Sequence, residues 1–112
     1  MAVQNERRRD ERILVNWPVI VVTPQRYIGG EARNVCLGGA RILCTTDPGQ
    51  DGPLRMVIQV PTREEFLQVT CIVAWSNPYE QLDGIYLCEA GVKFTSFIGD
   101  GLHYLSEVIS DS

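Results

Sequence analysis

The sequence predicts a mainly β domain: six short strands forming a small barrel or sandwich, followed by one C-terminal helix. Three observations point there. Short β-branched and apolar segments recur between clusters of Gly, Pro, Asn and Asp, with a turn roughly every 8 to 12 residues. The period changes near the C-terminus, where Leu102, Leu105 and Ile109 recur at helical spacing. Finally, 112 residues suffice for one hydrophobic core but not two, so residues 1–112 are read as a single domain.

The first strand is Ile13 to Val22, β-branched and apolar almost throughout. Pro18 has no N–H to give a ladder, so a bulge or an edge position is expected there. Thr23-Pro24-Gln25 breaks the run, and Gly29-Gly30 is read as a reversal that exploits positive φ. Glu31 to Val35 is the second strand and Ala40 to Cys44 the third, joined by the turn Cys36-Leu37-Gly38-Gly39. A polar loop from Thr45 to Pro53 leads to a fourth strand, Leu54 to Val60. Pro61 to Glu65 turns the chain into a fifth, Phe66 to Trp75, where Phe66, Val69, Cys71 and Val73 alternate imperfectly. Asn77-Pro78 and Asp83-Gly84 signal turns before the sixth strand, Ile85 to Phe94. The helix is expected over residues 97–110, capped by Asp100 or Thr95, with Leu102, Leu105, Val108, Ile109 and Phe97 on its buried face.

Composition narrows the function. The net charge of −4 argues against a general nucleic-acid binder, whose footprint would be broadly basic. The ten cations are nine arginines and a single lysine, Lys93, and four of the arginines fall between Arg7 and Arg12. No apolar run approaches the roughly 18 residues that span a bilayer, so no membrane insertion is expected. The N-terminus is charged where an export signal would be apolar, and the expected location is cytoplasmic. Cys36, Cys44, Cys71 and Cys88 have neither C-x-x-C spacing nor nearby histidines, so no metal site and no cofactor are expected. His103 has no sequence-evident catalytic partner. Neither a phosphate-binding glycine loop nor a nucleophile elbow is present, and no catalytic residue is assigned.

Two short segments carry the functional signal. Arg8 and Arg12 form an Arg-x-x-x-Arg spacing in the polar lead-in to the first strand. Asn34-Val35-Cys36-Leu37-Gly38-Gly39 follows about twenty residues later, between two strands. In this order they resemble the two-part signature of PilZ domains, bacterial receptors for cyclic di-GMP. Val73-Ala74-Trp75 and Ala90-Gly91-Val92-Lys93-Phe94 resemble two further strands of that family, so the likeness runs from about Glu6 to Ile109. It implies a six-stranded antiparallel β-barrel over residues 13–94, a flexible arginine segment over 1–12, and cyclic di-GMP as ligand.

By that resemblance the ligand-binding residues are Arg8, Arg9, Arg12, Asn34, Cys36 and Gly39. The chemistry is apt. Arginine forks match phosphate oxygens and guanine O6 and N7. The Asn34 amide offers a donor and an acceptor to a guanine edge. Gly39 lacks a Cβ, which lets backbone turn tightly or a base approach closely. Cys36 stands where the family has serine. A thiol is the weaker hydrogen-bonding group, and a lost neutral hydrogen bond costs about 0.5–1.5 kcal/mol, so weakened binding is expected rather than none. The implied function is non-covalent binding of cyclic di-GMP, relayed in trans to an unidentified protein partner as the arginine segment orders on the ligand. The alternative is a PilZ-like adaptor of pilus, flagellar or polysaccharide machinery that ignores nucleotide.

Overall fold

The computed structural model describes residues 11–79 and 88–112. Within them lie six strands and one helix: β1 (Ile13–Val22), β2 (Tyr27–Cys36), β3 (Gly39–Cys44), β4 (Leu54–Gln59), β5 (Phe66–Pro78), β6 (Cys88–Phe97) and α1 (Gly101–Ser110). The strands close into an antiparallel barrel in the order β1-β2-β3-β6-β5-β4, with β4 returning to pair with β1. Barrel and terminal helix therefore stand as the sequence predicts.

Strand alternation makes the core. In β1 the buried residues are Trp17, Val19 and Val21, while Asn16, Pro18 and Ile20 face out. Ile42, Met56, Ile58, Leu67 and Val69 are fully buried around the same interior, each stabilising the fold by about 1.5–3 kcal/mol relative to exposure. Leu105, Val108 and Ile109 of α1 belong to that core cluster. The missing N–H of Pro18 is harmless, because Pro18 pairs with Glu31 on the β2 side while the β1–β4 ladder begins one residue later, at Val19.

Several boundaries differ from the sequence reading. Gly29 and Gly30 do not form the first reversal; they lie inside β2, opposite Ile20 and Val19. The reversal is made by Thr23, whose N–H donates to the Arg26 carbonyl at 2.9 Å and whose Oγ1 accepts from the Arg26 N–H at 3.0 Å. Gly30 is needed for proximity instead, since a Cβ there would overlap the Leu43 carbonyl of β3. Asn77-Pro78 is likewise strand rather than turn, because β5 runs on to Pro78 against Cys88. Asp83-Gly84 and Ile85 fall outside the described residues. In β5 the buried set is Leu67, Val69, Cys71 and Val73, and Phe66 points outward, 57% exposed.

The helix begins at Gly101 rather than residue 97, because β6 continues to Phe97 and Gly99 (φ +59°) turns the chain. Asp100 occupies the N-cap without a side-chain cap bond, and the Thr95 hydroxyl donates to the Thr70 carbonyl at 3.1 Å instead. Gly101 seats the helix on the barrel; a Cβ there would stand 3.1 Å from Leu67 Cδ1. That close approach leaves Leu102 outside the interface, 52% exposed, contrary to the periodicity. The Tyr104 hydroxyl donates to the Glu65 carbonyl at 2.7 Å, and Arg63 pairs with Asp111 at 2.9 Å, tying both ends of α1 to the β4–β5 connection.

Candidate functional site

Three irregularities in the strand ladders aim the site. The β2–β3 register slips between Ala32 and Asn34, the β5–β6 register between Val73 and Trp75, and the β1–β2 register between Leu14 and Trp17. A bulge shifts which side chains face out, so Asn34 and Trp75, each the first paired residue beyond a slip, are turned to the barrel's outer surface. Continuous pairing then sets Asn34 opposite Arg41, Arg41 opposite Gly91, and Gly91 opposite Trp75, a row crossing four strands. The adjacent row runs Cys36, Gly39, Lys93, Ile72.

These rows form a cleft of about 420 Å³. Arg12 closes one side, its Nη1 donating to Asn34 Oδ1 at 2.8 Å across 22 residues of sequence. Gly39 lies on the floor. Its φ is not positive, so its role is proximity rather than turning: a Cβ would overlap the Val92 carbonyl of β6. The Leu37-Gly38 turn is held by the Phe94 N–H, which donates to the Gly38 carbonyl at 2.9 Å. Gly91 is bare for a second reason, since a Cβ there would enter the indole of Trp75. Trp75 thus lies over the strand backbone, 39% exposed, at the far end of the row.

Cations ring this floor. Arg41 Nη1 meets Glu89 Oε2 at 2.5 Å, while Lys93 is exposed. Cys36 is buried, its thiol beneath the turn and lining the cleft wall. A phosphate-bearing ligand with planar bases suits this combination: guanidinium and ammonium groups for the charge, an amide for a base edge, an indole face for stacking, and glycines that let rings approach.

Of the residues predicted to bind ligand, Arg12, Asn34, Cys36 and Gly39 all line this one cleft. Arg8 and Arg9 lie outside the described residues. Sequence reasoning missed the contribution of Arg41, Trp75, Gly91 and Lys93, since only the ladder register brings β5 and β6 against the β2–β3 turn.

Two other features contrast with the cleft. A larger concavity of about 520 Å³ lies between α1 and the β4–β5 connection, bordered by Glu64, Glu65, Asp100 and Glu107. His103 sits at its rim, 3.0 Å from Glu107. The remaining cysteines are interior: burial pushes the Cys44 thiol up to about 12, helped by nearby Cys88 and Asp47, and pushes Cys71 up to about 11. Such thiols are packing residues rather than nucleophiles. No helix among the described residues is long and apolar enough to cross a membrane.

Comparison with known proteins agrees with this architecture. The family model described as PilZ domain matches residues 6–107. No curated protein matches the sequence. Among solved structures, the Bacillus subtilis inhibitor of motility (MotI/DgrA) is similar in fold, with a TM-score of 0.68 at 14% sequence identity. The match covers 89% of this chain and 48% of that one, so this chain spans about half the length of that structure.

Proposed function

The chain belongs to the PilZ domain family, and on that premise we propose that it is a receptor for cyclic di-GMP that relays the messenger's level to a partner protein. The observation that carries this reading is the convergence of Arg12, Asn34, Cys36 and Gly39, drawn from both halves of the signature, on one cleft. In this proposal Arg12, already held at the mouth by Asn34, takes a phosphate oxygen or a guanine edge. Arg8 and Arg9 add further guanidinium contacts from the same segment. The indole of Trp75 receives one purine face. The function is binding rather than catalysis.

Binding exchanges the Arg12–Asn34 contact for contacts to the ligand, so the N-terminal segment takes up a new arrangement beside β1. That change is the signal a partner reads. Calorimetric titration of cyclic di-GMP into the purified protein tests the reading, with an Arg8→Ala/Arg12→Ala protein run at the same salt. Saturable heat lost in the double variant is the expected result. No heat and no shift in melting temperature with the unaltered protein would instead favour a nucleotide-indifferent adaptor.

A further inference from the structure

We infer that Lys93 is a ligand-binding residue of this cleft, its ammonium group placed for a phosphodiester oxygen on the β6 side of the floor, across from Arg12. The inference rests on the cyclic di-GMP reading above and extends it to a residue outside the family signature.

Charge pairing sets Lys93 apart from Arg41, its neighbour in the cleft. Arg33 lies 3.5 Å from Glu31, Arg41 2.5 Å from Glu89 and Arg63 2.9 Å from Asp111. Among the described residues no carboxylate partners Lys93. Its ladder neighbours are Gly39 and Ile72, and two positions away along β6 are Gly91 and Thr95, all uncharged. A chain of net charge −4 therefore presents, on a wall of its own cleft, a cation with no carboxylate partner among the described residues.

Position points the same way. Lys93 stands directly opposite Gly39, and neither Gly39 nor Gly91 puts a side chain between its stem and the floor. Its four-carbon stem lets the ammonium sweep that open surface. Arg12 approaches from the β2 side and Lys93 from β6, so the two cations flank the floor from different strands. A cyclic dinucleotide carries two phosphodiesters, each with one negative charge, which two separated cations match. Arg41, held by Glu89, is the less available third. An ammonium is a point charge without the planar fork that reads a guanine edge, so Lys93 contributes affinity and not base identity.

Because Lys93 is the sole lysine, the test is unusually clean. Cyclic di-GMP is titrated into the unaltered protein, Lys93→Gln and Lys93→Arg at low and at high salt, with cyclic di-AMP as competitor. Lys93→Gln is expected to weaken binding by about five- to tenfold at low salt and to flatten the salt dependence. Lys93→Arg should restore most of the affinity, and guanine preference should be unchanged in all three. In parallel, reductive methylation with a carbon-13 label gives one lysine resonance, which should move on saturation. If the unaltered protein binds but Lys93→Gln matches it in affinity and salt slope, or the lysine resonance stays still, Lys93 is not a ligand contact and the receptor reading survives. If the unaltered protein binds nothing, the receptor reading itself fails, and this inference with it.

Discussion

Two concavities of the molecule are similar in size and opposite in chemistry. The groove beside α1, at about 520 Å³, is walled by Glu64, Glu65, Asp100 and Glu107. The cleft over β2, β3, β6 and β5, at about 420 Å³, has Arg12, Arg41 and Lys93 around a floor that includes two glycines. Volume alone would choose the first. A ligand with two phosphodiester charges would meet repulsion there and attraction in the second. The proposed site rests on which groups converge, not on how much space they enclose.

The strongest way to break this contrast is to remove the cations. Arg8→Ala/Arg12→Ala should lower cyclic di-GMP affinity by about a hundredfold or more, since truncating a hydrogen-bonded charge in a binding contact costs about 2–5 kcal/mol. The melting temperature without ligand should barely move, because Arg12 is exposed and, among the described residues, its side chain bonds only to Asn34. Glu64→Gln/Glu107→Gln in the acidic groove should leave affinity within about twofold. A larger loss there would place the ligand in the wrong concavity.

Next in size is the cleft floor. Gly39→Ala drives a methyl into the Val92 carbonyl, and backbone cannot yield as a side-chain tip would. Equilibrium denaturation should show a loss of about 1–3 kcal/mol together with weakened binding. Gly29→Ala, where nothing lies within 4 Å of the added carbon, is the matched control and should cost less.

A third experiment separates the arginines of the cleft from the thiols of the core by titration. Burial holds the core thiols neutral in the fold to a higher pH than in the unfolded chain. Cys44 titrates in the unfolded chain near 9.0 but only at about 12 in the fold. The unfolded state therefore loses this proton first as pH rises. The thiol's contribution to stability is complete below pH 9.0 and disappears progressively towards about 12, with Cys71 adding to the same decline up to about 11. Melting temperature should fall over that window, and Cys44→Ala should fall less steeply from a lower starting point.

The smallest effect concerns Cys36. Restoring the family's serine by Cys36→Ser should tighten cyclic di-GMP binding by about two- to tenfold, the worth of one neutral hydrogen bond. Calorimetry showing unchanged or weaker affinity would mean that the buried thiol only packs beneath the turn and never meets the ligand.

Much of this was legible in the linear sequence, for identifiable reasons. The β-branched, apolar run from Ile13 to Val22 announces a strand, and Leu105 with Ile109 announces a helix face. What escaped depended on contacts between distant strands. Gly30 and Gly91 look like punctuation in one dimension, yet both are bare to admit a neighbour, the Leu43 carbonyl in one case and the Trp75 indole in the other. Phe66 stands one residue out of step with Val69, Cys71 and Val73, which is why the alternation in the sequence is imperfect; the phase of β5 is set by those three, and Leu67 is the buried partner. The motif residues Arg12, Asn34, Cys36 and Gly39 could be named from order and spacing. That Lys93 faces Gly39, over 50 positions away, required the ladder.

Closure of the barrel has a consequence for how a message could leave this molecule. With β4 bonded back to β1 over Val19–Val22, that stretch of the sheet has no free strand edge, whereas Ile13–Pro18 of β1 and Ile72–Pro78 of β5 run past the ends of the β4 ladders. Recognition by strand addition, in which an incoming peptide extends a sheet through main-chain hydrogen bonds, has no template over the closed stretch. A partner on that face has to recognise side chains instead. Specificity on that face would then rest on the identity of a few surface residues, such as Ile20, 48% exposed and paired with both Gly29 and Val57, rather than on backbone geometry that any extended peptide could satisfy.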